Sequence, residues 1–271
     1  MTSIIFVGGF GGSSDYSKPM CIELQKITQK IVYNFNLQHG CTLEEECKYI
    51  LSNINININK SQPVIVIGFS TGCLIAMELT KYVNIKTVVL CNPAEVVTRL
   101  NYPCMESLLD NSPKTRNIST FLPIWQPQRT NRFSIILYKT LWKYIDQIWW
   151  LGKYFLGADK MSRIYYYLVA RHVNEPRADE LSKLLFQKNM KELRKTVTEC
   201  LVKPSLIEKI RNFQGKIHIV QGFNDTLYIP YGNLLFYNNK NVLLHRTNGD
   251  HHMIYHHPKI TAERIASIIP K

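Results

Sequence analysis

Gly68-Phe69-Ser70-Thr71-Gly72 sets one hydroxyl between two glycines, directly after the β-branched run Val64-Ile65-Val66-Ile67 and before a stretch of helical periodicity. A serine in a sharp strand-to-helix turn is lifted clear of the sheet. Glycines are needed on both sides because a side chain would collide with the neighbouring strand or helix. Such a hydroxyl attacks a carbonyl carbon only when a base takes its proton and a further group holds the base in the right tautomer. Two later segments supply those residue types. Gln221-Gly222-Phe223-Asn224-Asp225 follows a strand predicted from Lys216 to Val220, and Asn248-Gly249-Asp250-His251-His252 follows one predicted from Asn241 to His245. Ser70 is therefore the candidate nucleophile, Asp225 the candidate acid that orients the base, and the base is a histidine of the last loop, with His251 or its neighbour His252 in reach. Amide N–H groups at the start of the helix after Ser70 would face the oxyanion formed on attack.

The neighbouring residues leave alternatives. His251, His252, His256 and His257 lie close together; His252 is the second candidate for the base, while His256 and His257 are expected to be solvated residues at a helix entry. Glu95 could reach the base as an alternative acid, but a place at the hinge of an insertion is the preferred reading, and Asp225 stays ahead of it. Asp250 is expected to form the turn and to point away from the base. His252 and His256 have H-x-x-x-H spacing, but the Glu of H-E-x-x-H is absent and no Cys or acidic cluster adds ligands, so no metal is expected. The glycines from Gly8 to Gly12 are not followed by Lys-Ser/Thr, and Ser14 stands where a dinucleotide fingerprint needs its last glycine. No cofactor is implied.

The elements that must position these residues alternate. Ile4 to Val7 reads as a strand leading into the glycine loop, and apolar residues then recur at helical spacing from Met20 to Leu37 (Ile22, Leu24, Ile27, Ile31). A helix is expected from Thr42 to Ile54, opened by a Thr42/Glu45 capping box, followed by an Asn/Ile repeat read as a surface loop. After the Val64 strand come a helix from Gly72 to Tyr82, with Ile75, Ala76, Leu79 and Tyr82 as its inner face, and a strand from Thr87 to Cys91. The last two strands and a helix from Pro258 to Ile269 close the pattern. Strands covered on both faces and separated by helices define an α/β fold with a mostly parallel sheet flanked by helices.

Residues 99–205 interrupt the alternation. They contain all four Trp and 18 Lys or Arg against 9 Asp or Glu, with helical periodicity over 132–156 and 178–200. We read them as a helical insertion between two parts of one core, 1–98 and 206–271. Lys139, Lys143, Asp146 and Lys153 interrupt the apolar stretch 132–157, and each charge near the centre of a bilayer costs about 2.5–3.5 kcal/mol. An amphipathic cap helix or an interface-seeking helix fits better than a membrane span.

Taken together, the motifs resemble those of the α/β-hydrolase family, particularly members with a helical cap after the strand that follows the nucleophile helix. Gly222-Phe223-Asn224-Asp225 is similar to the family's acid loop G-x-x-D-x-x-x-P, with Pro230 one residue further on. Gly249-Asp250-His251 with Pro258 is similar to its histidine loop. Gly8-Gly9-Phe10-Gly11-Gly12 is similar to its oxyanion loop, with Gly8 in place of the usual His. The resemblance covers 4–95 and 216–269. It implies that Phe10 and Thr71 give the backbone N–H donors of an oxyanion hole, and that the chain starts at the strand that usually comes third, a shortened form of the fold. It also implies a lipase- or carboxylesterase-like serine hydrolase acting on an ester or thioester; a peptidase or amidase of the same fold and a non-catalytic ligand-binding protein are the alternatives.

Composition sets the remaining bounds. The chain has 271 residues, 45% hydrophobic and 20% charged, in the range of a folded globular protein. Seven cysteines (21, 41, 47, 73, 91, 104 and 200) are scattered without a CxxC pair, which fits reduced thiols. The first residues read as a buried strand rather than a signal peptide, so a cytoplasmic protein is expected. Trp125, Trp142, Trp149, Trp150 and Tyr165 to Tyr167 would line a pocket for a small-molecule or lipid-like acyl substrate. A net charge of +13 favours anionic partners; peripheral contact with an anionic membrane is expected ahead of nucleic acid, and oligomeric state is left open.

Overall fold

In the computed structural model the described residues are 2–9, 14–54, 63–93, 151–152, 154–157, 160, 192, 195–196, 199–200, 206–223, 225 and 240–270. Six strands, β1 (Ser3–Val7), β2 (Val32–Phe35), β3 (Val64–Phe69), β4 (Ile85–Cys91), β5 (Lys216–Gly222) and β6 (Val242–Thr247), form one sheet in the order β2-β1-β3-β4-β5-β6. Every neighbouring pair is parallel. All carboxyl ends therefore fall along one edge of the sheet, where an α/β fold binds its ligands. The α/β class with a parallel sheet between helices is as expected.

Strand alternation builds two cores. Ile5, Val7, Val64, Val66, Val88, Leu90, Ile217 and Ile219 pack with α2 (Leu43–Asn53), α3 (Gly72–Leu79) and α4 (Leu206–Asn212). Ile4, Phe6, Ile65, Ile67, Phe69, Val89, Cys91 and Val220 face the other way, toward α1 (Ser14–Thr28), α5 (Met253–His256) and α6 (Pro258–Ala266). Each fully buried side chain of this size contributes about 1.5–3 kcal/mol of transfer free energy. The Thr42 capping box forms as expected, with Thr42 Oγ1 accepting from the Glu45 amide and Glu45 accepting from the Thr42 amide. Helix α3 is buried all round, and it ends at Leu79. Tyr82, expected on its inner face, lies beyond that end and is exposed.

The segment Met20 to Leu37 departs from expectation. Helix α1 begins earlier, at Ser14, holds Pro19 within it, and stops at Thr28; Gln29 follows with φ +55°. The buried face is Tyr16, Met20, Cys21 and Leu24, whereas Ile22, Ile27 and Ile31 are exposed. A spacing of four residues selects the inward stripe here, and the isoleucines fall outside it. Val32 to Phe35 is not helical at all: it pairs with β1 as the edge strand. Four half-buried residues are too few to show a period of two against a helical background.

The 99–205 insertion lies almost wholly outside the described residues. Those described within it are helical at 151–152, 154–157, 160, 192 and 195–196. Thr196 Oγ1 accepts from the Gly40 amide at 2.6 Å, and Cys200 is buried with its thiol 3.5 Å from the Cys41 carbonyl oxygen. Cys21, Cys41, Cys47, Cys73, Cys91 and Cys200 are free thiols. Among the described residues no helix is long and apolar enough to cross a membrane.

Candidate active site

Ser70 follows β3 directly and has φ +51°, a left-handed conformation that L-residues rarely adopt. The turn is held from three sides. The Ser70 amide donates to the Cys91 carbonyl at 3.0 Å, and the Ser70 carbonyl accepts from the Cys73 amide at 3.0 Å. A Cβ on Gly72 would lie 2.4 Å from the Val7 and Gly8 carbonyl oxygens, and one on Gly68 would lie 2.6 Å from Cys73 Cα. The sequence can make this turn only with glycine at both positions, because backbone atoms of β1 and α3 occupy the space of any side chain.

Asp225 stands just past the end of β5 and His251 just past the end of β6, on the same edge of the sheet as Ser70. His251 Nδ1 is 3.1 Å from Asp225 Oδ2 and 3.2 Å from Oδ1, while His251 Nε2 is 3.1 Å from Ser70 Oγ. A carboxylate only accepts, so Nδ1–H donates to Asp225 and Nε2 is left as the acceptor for the serine hydroxyl. The Asp225 side chain is fully buried and that of His251 nearly so. Phe69, the residue before the serine, packs against the imidazole with ring centroids 5.4 Å apart and closes its flank.

The other candidates fall as follows. Phe10 and Glu95 lie outside the described residues, as do Gly11 and Gly12. The described start of the glycine loop approaches the nucleophile closely, since a Cβ on Gly9 would lie 3.0 Å from Ser70 Cβ. Thr71 is buried at the head of α3, whose N-terminal turn presents oriented amides beside Ser70. His252, the alternative base, has its Nδ1 hydrogen-bonded to Tyr16 Oη and its ring edge-on to that of His251.

His256 is not a solvated residue. Its Nδ1 is 2.9 Å from Asp250 Oδ2, and both side chains are largely buried. Asp250 does form the turn, accepting from the His252 amide at 2.8 Å, and it also faces His256. Helix packing of α5 on the sheet overrode the polar look of the sequence. His257 is exposed and opens α6. Among the described residues no group of three or more His, Cys, Asp or Glu could hold a metal ion.

Two residues of this region went unread in the sequence. Tyr16, on α1, stacks on Tyr255 with ring centroids 4.9 Å apart and packs on Phe69 as well as bonding His252. Asn92 is fully buried at the end of β4 and bonds both of the loops that carry Asp225 and His251. The only signal for Asn92 was its place one residue past a predicted strand.

No family model matches the chain, and no curated protein matches it in sequence. Solved structures do. A hydrolase from Oleispira antarctica superposes with a TM-score of 0.65 at 16% identity, over 98% of this chain and 90% of that one. A carboxylesterase structure from the ammonia-oxidizing Thaumarchaeon Nitrososphaera gargenis gives 0.61 at 11% identity, over 98% and 89%. The enol-lactonase from Burkholderia xenovorans LB400 gives 0.61 at 13% identity, over 98% and 91%. These likenesses are likenesses of fold, and the fold is that of the α/β-hydrolases.

Proposed function

We propose that this α/β-hydrolase-fold protein is a serine hydrolase that cleaves a carboxylic ester or thioester through an acyl-enzyme on Ser70. The reading rests on one observation above all: a hydroxyl, an imidazole and a buried carboxylate, from three separate strand ends, stand in a single hydrogen-bonded line. In that line Ser70 Oγ attacks the substrate carbonyl carbon while His251 Nε2 takes its proton. The tetrahedral oxyanion is held by the amides of Thr71 and Phe10, helped by the positive end of α3. His251 then protonates the leaving oxygen or sulfur, the C–O or C–S bond breaks, and the acyl group stays on Ser70. Water repeats the sequence, giving its proton to His251 and releasing the acid. Asp225 stays ionised throughout; it fixes the imidazole tautomer and stabilises the imidazolium formed in each half.

Ester and lactone hydrolases among the fold neighbours favour carboxylic esters as the first substrates to try. Labelling with a fluorophosphonate probe, together with a panel of p-nitrophenyl esters of increasing chain length, tests the reading. Wild type should be labelled and Ser70→Ala should not, with turnover falling by about 10³-fold or more. A folded wild-type protein that takes no label and hydrolyses no ester would remove the hydrolase reading in favour of a ligand-binding protein.

Peripheral membrane contact belongs to the same proposal. Tyr154 and Phe155 are 72% and 73% exposed within the most basic part of the chain, a pairing of aromatic and cationic side chains that suits an anionic lipid surface. Co-sedimentation with phosphatidylserine vesicles should fall with added salt. Absence of binding at low salt would dismiss the contact without touching the hydrolase reading.

A further inference from the structure

The carbonyl of Cys91 holds the Ser70 amide, and the next residue along β4 reaches the other two loops of the site. Asn92 has φ +43°, a left-handed conformation that Asn tolerates better than other L-residues with a full side chain. Its amide continues the β4–β5 ladder by donating to the Val220 carbonyl at 2.9 Å. Its side chain is fully buried. Oδ1 accepts from the Gly222 amide at 2.8 Å, and Nδ2 donates to the carbonyls of both Asp250 and His251 at 2.9 Å. Both amide hydrogens and the carbonyl oxygen are thus used, by backbone atoms belonging to two different loops.

Those bonds tie together the chain segments whose separation sets the His251–Asp225 distance. Gly222 carries the acid loop, and its carbonyl accepts from the Asp225 amide at 3.3 Å. The His251 carbonyl fixes the backbone from which the imidazole projects. The two loops are also in direct contact, since a Cβ on Gly222 would lie 2.6 Å from the Gly249 carbonyl oxygen and 2.7 Å from that of Asp250. Contact alone resists approach but not sliding or separation. The amide of Asn92 bridges from one loop to the other and supplies the attraction, in a buried place where a lost partner is costly.

We infer that Asn92 is a positioning residue: through its side-chain amide it holds the acid loop and the base loop in register, so that Asp225 faces His251 Nδ1 while His251 Nε2 faces Ser70. This rests on the hydrolase reading for its catalytic consequence but not for its geometry. A displacement of about 1 Å in such a line costs on the order of 10²-fold in rate. The deficit should appear in kcat with KM little changed, because Asn92 acts through other residues and touches no substrate.

Two variants test it. Asn92→Gly keeps the left-handed backbone without strain and removes the bridge. Asn92→Asp keeps the shape and the acceptor for the Gly222 amide but turns a carboxylate oxygen toward two carbonyls. Ile50→Ala, on the buried face of α2 and away from the site, serves as a control of lowered stability. Each folded protein is examined in two ways: by kcat and KM on the best ester, and by the downfield proton resonance of the His251 Nδ1–H shared with Asp225.

The expected result is a loss of about 10²-fold in kcat and an upfield shift or loss of the resonance in both Asn92 variants, with Ile50→Ala retaining both. Wild-type kcat and resonance in a folded Asn92→Gly protein would overturn the proposal. If wild type hydrolyses nothing and takes no probe, yet the resonance still moves only in the Asn92 variants, the hydrolase reading falls and the positioning role stands. If both Asn92 variants are unfolded while Ile50→Ala folds, Asn92 is a folding residue and the positioning role is lost.

Discussion

Two histidines of one loop and its following helix are each paired with a carboxylate, and the chemistry of the two pairs is the same on paper. His251 Nδ1 faces Asp225 at 3.1 Å and His256 Nδ1 faces Asp250 at 2.9 Å, all four side chains being largely buried. What differs is the place of each ring. The His251 ring projects at the carboxyl edge of the sheet with Ser70 Oγ at its second nitrogen, and its acid comes from another strand end. The His256 ring sits on α5 among the rings of Tyr255, His252 and His257, and its acid comes from the same loop six residues back. A His–Asp pair alone is therefore a packing device. It becomes a candidate for catalysis when its free nitrogen is aimed at a nucleophile held in a strained turn.

The largest effect that separates the pairs is on turnover by the two rings. His251→Leu should lower kcat/KM on a p-nitrophenyl ester by about 10⁴-fold, since it removes the nitrogen that faces Ser70 Oγ at 3.1 Å. His256→Leu should leave kcat/KM within about tenfold and instead lower stability by about 1–3 kcal/mol, the cost of stripping a buried carboxylate of a partner. Equal losses of turnover in folded proteins would erase the distinction.

The acids give the next contrast. Asp225→Asn offers a donor where only an acceptor fits, drives the imidazole toward the tautomer with hydrogen on Nε2, and should cost about 10³–10⁴-fold in kcat. Asp250→Asn keeps an acceptor for the His252 amide, and His256 can reverse its own tautomer without consequence for Ser70. A change of less than about tenfold is expected there, read in the same assay, and a drop as deep as that of Asp225→Asn would join the two pairs into one catalytic network.

A further buried imidazole is paired with a second imidazole instead. His218 on β5 and His245 on β6 lie 2.9 Å apart, Nδ1 to Nε2. Burial pushes His218 down to about 4 from 6.5, and the nearby His245 and Lys216 add to the effect. The folded protein thus keeps this ring neutral while the unfolded chain takes up a proton near pH 6.5, so the stability it contributes is complete above 6.5 and drains away as pH falls toward 4. Urea unfolding at pH 7 and pH 4.5 should show a fall in wild type that is smaller in His218→Gln, by about 2 kcal/mol. Identical pH slopes would mean that the ring is solvated in both states.

How much of this could be read beforehand follows from the range of each interaction. The strands β1, β3, β4 and β5 announced themselves as short apolar runs, and the residues past β3, β5 and β6 could be read as a serine, an acid and a base because a parallel sheet gathers its strand ends. β2 was hidden, since Val32 to Phe35 continues the apolar count of α1 without a visible break. Asn92 and Tyr16 were hidden for a different reason: their partners stand 158 and 236 residues away in sequence. An Asn past a strand and a Tyr in a helix have local readings as turn and core residues, and nothing local distinguishes a side chain whose partners arrive only with the tertiary fold. His256 was misread for a nearer reason: Asp250 is only six residues back, but the two side chains meet only once α5 forms.

The smallest expected effect bears on the remaining rival for the base. Tyr16 Oη bonds His252 Nδ1, and the Tyr16 ring is clasped between Phe69 and Tyr255. Tyr16→Phe keeps the ring stacking and deletes only the hydroxyl, so stability should drop by about 1 kcal/mol, the net worth of one such bond. If His251 is the base, its Nε2 and Nδ1 contacts are untouched and kcat should change by less than about threefold. If instead His252 took the serine proton, the hydroxyl on its other nitrogen would govern its tautomer, and the substitution would alter kcat and its pH profile together while leaving the Ser70–His251 contact without a purpose. A kcat loss beyond about tenfold, with the thermal midpoint nearly unchanged, would therefore transfer the base role from His251 to His252.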